Sequence, residues 1–559
     1  MKREEKAVVD AERVREAERI LKEYKRGKAS LEARIVDNEL WYRMRHASPH
    51  AKNEPANASG WLFNALASKH ADAMDNYPEP VFLPREQGDS RDAKLLSGVV
   101  PAILERCRFE KVYSDAWWYK LKHGTACYGV FWSNEEGSAG DVVIRQVDLL
   151  NLFWESGADD IQKSRNVFCV ELCDRDILTE RWPVLKDALA APSLEVTRYL
   201  YDDAVDTSDK AAVVDWYYKK DGLVHYCKFC AGEVLYASEN DARYKDRGYY
   251  DHGLYPFVFD VMYPVGGSAA GFGLIDVMRD AQTYVDRLNA AMLKNALMAS
   301  RKRFFIRADG SVNEEEFGDF TRDFVHVMSA NLGQDSIREI ETRPLDEVYV
   351  ALLNNKIAEI KEVTGNRDFS QGGTTGGVTA ASAIAALQEA GSKLSRDMIK
   401  GGYQAFSQIC TLIVELIRQF YDEPRVFRIT GAGGDELFLP FDNRYLRGAP
   451  VFGADDTRRV PVFDIRISAS RANPFSRVSQ NELACEFFRL GLFDPSRAQE
   501  ALCCLSMMDF EGRDEMTRRI RENGQLAAAA NVSSFVPAST RNLSADVRAR
   551  VQSAQGSNA

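Results

Sequence analysis

From Leu274 to Ser300 the side chains Leu274, Val277, Met278, Ala281, Val285, Leu288, Met292 and Leu297 recur mostly three and four positions apart, a spacing that lines them along one stripe of an α-helix. At 1.5 Å per residue such a helix is about 40 Å long. The basic run Arg301, Lys302 and Arg303 ends it. A short insert follows, in which "FFIRADGSV" and "FVHVM" read as strands around an Asp309-Gly310 turn, with the acidic "NEEEF" between them. Pro344 and Asp346 then start a second helix through about Val363. Helix, insert and returning helix form an extended hairpin, and two helices standing out alone cannot bury their apolar stripes. The side chains that cover them must therefore come from other copies.

The hairpin begins at "YPVGGSAAGFG", whose glycines permit a sharp redirection of the backbone. It ends in "TGNRDFSQGGTTGGVTAASAIAALQEAG", Thr364 to Gly391, which runs into a helix from about Thr379 to Tyr421. That helix reaches about 60 Å if straight, and Gly401-Gly402 predicts a kink. Gly372, Gly377 and Thr379 satisfy the G-x-x-x-x-G-x-T frame of a phosphate-binding loop, but Val378 stands where the phosphate-holding lysine belongs. The loop also follows a helix rather than a buried strand, so nucleotide chemistry is not expected there. Paired glycines and threonines between two helices suit a mechanical segment that touches a moving object; an ordinary surface connection is the plainer alternative.

Around this centre the texture is mixed. Residues 3 to 46 pair charges at helical spacing, as in Arg15, Glu18 and Lys22, and read as a solvated helix hairpin. Helices are predicted at 59 to 76, 91 to 107 and 109 to 123, and "YPEPVFLP" is held extended by its prolines. From Thr125 to about Tyr263 the period becomes two, as it does again after Pro424 in "RVFRITG", "DELFLPF" and "VFDIRIS". Residues 477 to 523 return to helix, and the Ala-, Ser- and Asn-rich tail from Gln525 favours disorder. The class is α+β.

With 83 acidic against 72 basic side chains among 559 residues, the chain is repelled by nucleic acid at long range. It is not a general DNA coater. No window has the apolar length to span a bilayer, and the charged start "MKREEKAVVDAERVREAERI" does not read as a secretion signal, so synthesis in the cytoplasm and no membrane partner are expected. The ten cysteines read as reduced thiols. Only "HYCKFCAGEVL", with His225, Cys227 and Cys230, resembles half of a zinc knuckle; its second pair would have to be Cys169 and Cys173, and buried hairpin cysteines are the default. Hydrolase signatures are absent and the seven histidines do not cluster. No cofactor and no catalytic residue are assigned. Trp117, Trp118, Tyr217 and Tyr218 read as core.

The order of these parts resembles the portal proteins of tailed bacteriophages and prophages. It is carried by "GGSAAGFGLIDVMRDAQTYVDRLNAAMLKN" (266 to 295), "EVTGNRDFSQGGTTGGVTAASAIAALQEAG" (362 to 391), "ISASRANPFSRVSQNELACEFFRLGLFDP" (467 to 495) and "VDLLNLFWESGADDIQKSRNVF" (147 to 168), and covers roughly 59 to 520. The resemblance implies an elongated subunit: a mixed wing over 1 to 270 and about 425 to 475, stem helices over 271 to 300 and 346 to 363, and a clip over 301 to 345. A tunnel loop over 364 to 378, a long kinked channel helix over 379 to 424, a helical crown over 476 to 524 and a tail over 525 to 559 complete it. It further implies a ring, in the family usually of twelve copies, at one capsid vertex of the virion, assembled in the host cytoplasm. Double-stranded DNA passes through it in packaging and ejection, and it meets major capsid or scaffolding protein, terminase and a head-tail adaptor. Portals are not themselves the ATPase.

On that reading the channel candidates are Asn366, Arg367, Gln371, Thr374 and Thr375 in the loop, with Lys393, Arg396 and Lys400 on one face of the long helix. The alternative for the three helix cations is pairing with Glu389 and Asp397. Arg301, Lys302 and Arg303 are candidates for the clip opening or a partner contact, with a solvated helix end as the alternative. Two competing functions stand beside the portal: a nucleotide-dependent packaging enzyme and a zinc-stabilised interaction protein.

Overall fold

The change of period at Thr125 is a change of element in the computed structural model. The structure describes residues 9–46, 58–134, 140–189, 209–300, 304–306, 313–319, 326, 337–340, 345–365, 393–430, 436–447, 449–450, 458–470, 486–491, 494, 497–506 and 516–523. Helix α5 (Phe109–His123) stops at Gly124, whose φ is 89°, a left-handed conformation that favours glycine. A Cβ there would lie 2.2 Å from the Phe272 carbonyl carbon, so the turn also lets the start of the hairpin pack against it. Strand β2 (Thr125–Ser133) follows at once, between β3 (Asp141–Val147) and β9 (Phe257–Val261), both antiparallel to it.

Between β3 and β9 the chain builds a second antiparallel sheet in the order β4 (Leu152–Trp154), β5 (Asn166–Asp174), β6 (Lys210–Lys220), β7 (Leu223–Cys230), β8 (Glu233–Ala237). Because successive strand side chains alternate, Val214, Trp216 and Phe229 face one core with Val14, Ala17 and Leu21 of α1 (Ala11–Gly27). Val213 and Cys230 face another with Leu178 of α6 (Arg175–Arg181) and Leu185 of α7 (Leu185–Ala188).

The predicted solvated hairpin at the N-terminal end is thus half right. Arg15 and Lys22 are exposed as their spacing requires, but α1 buries its other face, and α2 (Ala29–Tyr42) buries Glu32, Ile35 and Asn38. Lys28 at the joint is buried, donates to the Leu149 and Leu152 carbonyls at 2.6 and 2.7 Å, and is held by burial at a pKa of about 8.

The largest core collects α3 (Trp61–Met74), α4 (Ser90–Arg106), α5 and the first sheet around a long helix, α11 (Lys393–Phe420). The proline-rich stretch is β1 (Tyr77–Pro84), paired antiparallel with the last strand of this unit, Phe463–Ser470, from Tyr77↔Ser470 to Pro84↔Phe463. Strands β12 (Arg425–Thr430) and β13 (Glu436–Phe441) form a ribbon. Helix α11 is continuous through Gly401 and Gly402, where the sequence predicts a kink. Its predicted start at Thr379 lies outside the described residues.

Contacts divide the chain into residues 1–470 and 471–559. In the second unit, Phe487 and Ile520 pack with Ala498, Ala501 and Leu505 of the helix Ala498–Ser506. The predicted tail from Gln525 lies outside the described residues, in which no helix is long and apolar enough to cross a membrane.

Candidate functional site

Helix α8 (Leu274–Ala299) begins and ends within one residue of the predicted stripe. Its first half is embedded: Leu274, Ile275, Met278, Gln282, Val285 and Asp286 are buried. Beyond Asp286 no residue of it is buried. Helix α10 (Glu347–Thr364) returns antiparallel, with the Leu345 N–H donating to Asn295 Oδ1 at 3.2 Å and Lys356 Nζ 5.4 Å from the Tyr284 ring centre. Only Ile360 and Thr364 of α10 are buried, both at the root. The outer half of the hairpin instead exposes Leu293, Leu297 and Met298 on α8 and Val348, Val350 and Leu352 on α10, with Leu297 at 50 % and Val348 at 71 % exposure.

At the root the hairpin is held by polar contacts from α2 and the segment after it. His46 stacks on Trp41 at 3.7 Å, and its Nε2 lies 3.0 Å from Asp286 Oδ2. Asp286 Oδ1 accepts from the Ser59 N–H, the Ser59 hydroxyl and Gln282 Nε2 at 2.9, 2.7 and 2.9 Å. Burial alone would raise the Asp286 pKa, but the bonds from His46, Ser59 and Gln282 hold it below the usual carboxylate range. Arg279 donates to Asn38 Oδ1 at 2.7 Å and pairs with Asp37 at 2.7 Å, while Arg34 donates to the Gly271 carbonyl at 2.6 Å. Nearby, burial opposes ionisation of Glu39, yet His123 and Lys122 bring its pKa down to about 2. Of the predicted stripe, Val277 and Leu297 face outward; Gln282 and Asp286, absent from that stripe, are buried.

The insert between the helices differs from the sequence reading. Phe304–Ile306 is a strand, β10, but its antiparallel partner is β11 (Ile337–Glu339). "NEEEF" is part of the helical turn Glu314–Gly318, capped by Asn313. Of "FVHVM" only His326 is described, and it is not in a strand. Arg301, Lys302 and Arg303 lie outside the described residues, as do Asn366, Arg367, Gln371, Thr374 and Thr375.

Lys393 opens helix α11, and Arg396 and Lys400 follow on its exposed side together with Asp397. The opposite side carries Ser395, Met398 and Ile399, all buried. The helix thus presents a polar face with two described cations while its other face sits on the largest core.

The zinc reading finds no geometry. Cys227 lies with Trp216 and Phe229 on one face of the second sheet, whereas Cys230 lies with Val213 and Leu178 on the other. Burial pushes their thiols up to about 12 and about 11, away from the thiolate that ligates metal. His225 Nδ1 is 3.3 Å from the Ser238 hydroxyl. Among the described residues no group of three or more His, Cys, Asp or Glu is placed to hold a metal ion. Trp117 and Tyr217 are buried, as their reading as core requires.

A family model described as "Phage P22-like portal protein" matches residues 71–534. No curated protein matches the chain.

Proposed function

Because the chain belongs to the phage P22-like portal protein family, we propose that it is the ring subunit through which a phage genome enters and leaves the capsid, with α8 and α10 as the stem that packs copy against copy. A member of this family is a structural component of the virion, placed at the capsid vertex and serving genome packaging. One observation carries the ring: the outer hairpin exposes Leu293, Leu297, Met298, Val348, Val350 and Leu352 on two helices whose roots are fully packed. Solvent-exposed apolar patches of this kind mark association surfaces. A neighbouring copy supplies the same stripes around an axis, and a closed ring satisfies every copy.

The channel reading rests on charge. A duplex that must slide needs weak, averaged contacts, since each tight phosphate contact has to be broken as it advances. A subunit of net charge −11 with a few cations, Lys393, Arg396 and Lys400 on the long helix and Arg367 in the preceding loop, beside the uncharged Asn366, Gln371, Thr374 and Thr375, meets that need. In this proposal the wing is 1–270 with 425–475, the clip 301–345, the tunnel loop 364–378 and the crown 476–524. Arg301, Lys302 and Arg303 sit in the clip, which meets terminase during packaging and a head-tail adaptor afterwards; the wing meets capsid or scaffolding protein. No ATPase role is assigned, in keeping with Val378 at the lysine position of the phosphate-loop frame.

Negative-stain microscopy of the purified chain tests the ring: particles with an axial hole are expected, and a monomer at every concentration overturns the reading. Deleting 370–377 is expected to leave rings intact while packaging or DNA retention falls. Loss of folding on that deletion would contradict the tunnel-loop assignment.

A further inference from the structure

The two halves of the long helix are held to the protein by different forces. From Ala405 to Ile417 it buries Ala405, Phe406, Ile409, Cys410, Leu412, Ile413, Val414, Leu416 and Ile417. From Lys393 to Gly402 it buries only two apolar side chains, Met398 and Ile399. Its seat there is polar. The Ser395 hydroxyl accepts from Lys69 Nζ at 2.8 Å and donates to Asp72 Oδ2 at 2.6 Å, and the Met398 carbonyl accepts from Lys120 Nζ at 3.3 Å. Just past it the Tyr403 hydroxyl donates to the Asn76 carbonyl at 3.0 Å.

Each buried cation in this seat has its carboxylate on the fixed side of the joint. Lys69 lies 3.5 Å from Asp72 on the same helix, α3, and Lys120 of α5 lies 2.6 Å from Asp260 of β9. To these two cations the helix contributes a hydroxyl and a main-chain carbonyl. If it lifts, no buried charge loses its counter-ion, and so the large penalty for an orphaned ion does not oppose the motion. Between the halves stand Gly401 and Gly402, the least helix-favouring residue type after proline. A Cβ on Gly402 would lie 3.2 Å from Trp117 Cζ2, tighter than ordinary contact, so that glycine also allows the close seat; a Cβ on Gly401 would meet nothing within 4 Å.

We infer that Lys393–Gly402 is a hinged strap, latched to α3 and α5 through Ser395 and the Met398 carbonyl, which lifts about Gly401-Gly402 while residues 405 to 420 stay in the core. The inference does not depend on the ring or on the channel.

Amide hydrogen exchange on the full chain tests it. In the native protein 394–402 is expected to exchange faster than 405–420. Ser395→Ala removes both bonds to the charged pair and is expected to speed exchange of 394–402 about ten-fold or more, leaving 405–420 unchanged. Gly401→Ala, for which there is room, is expected to slow 394–402 several-fold by stiffening the hinge. Equal exchange in the two halves of the native helix, an equal rise in both halves in Ser395→Ala, or no change in either variant would overturn the strap.

Discussion

The root and the outer half of helix α8 belong to one continuous element, yet they meet opposite fates. At the root even polar side chains are buried, because Asp286 and Gln282 find partners in His46 and Ser59. In the outer half even apolar side chains are exposed, although α10 lies beside it. On the proposed ring reading, the difference separates what one copy provides for itself from what a neighbouring copy provides. Fixing a hairpin firmly at its base while leaving its apolar flank open suits assembly: the flank is presented in one orientation, and less ordering entropy is lost when copies meet.

The sharpest way to break this comparison is to charge the open flank. Leu297→Glu combined with Val348→Glu is expected to abolish assembly, seen by sedimentation as loss of the large species, while the melting temperature of the single copy moves little. Persistence of the assembled species would show that the flank is not the contact. At the root the expected effect is on folding. Asp286→Ala strands the donors of His46, Ser59 and Gln282, and denaturant unfolding is expected to show a loss of about 2–4 kcal/mol. A change below about 0.5 kcal/mol, the range of neutral surface substitutions, would reduce the root network to decoration.

Acid should act on the root as well. The pKa of Glu39 is depressed from 4.5 to about 2, and that of Asp286 is also lowered, so their stabilisation is fully present above the ordinary carboxylate range. It is lost as pH falls, for Glu39 between about 4.5 and 2. Melting temperature followed across that window is expected to drop, and more shallowly in Glu39→Gln; identical slopes would count against the assignment. Smallest of all is the effect of metal. Treatment with a chelator is expected to leave melting unchanged, since Cys227 and Cys230 face different cores.

Much of the hairpin is legible in the sequence, because a strong three-to-four period and flanking glycines are local signals. The start of α8 at Leu274 follows from them, and the strands after Thr125 follow from the change to a period of two. The family resemblance, drawn over roughly 59 to 520 from the order of elements, agrees with a match over 71–534. The root network was not legible, since His46 and Asp286 are 240 residues apart and each reads alone as a solvent-facing side chain. The same holds for Ser395, whose partners Lys69 and Asp72 lie on another helix. Helix α2 reads as solvated because Glu32 and Asn38, both buried in the structure, look like surface residues. The pairing of Phe304–Ile306 with Ile337–Glu339 was missed because a three-residue strand carries too little alternation to register.

The central claim concerns the open flank, and hydroxyl-radical footprinting of the assembled and dissociated chain measures it directly. Leu293, Leu297, Met298 and Val348 are expected to be protected on assembly while the root residues react equally little in both states. Equal oxidation of those four side chains in the two states would contradict the account.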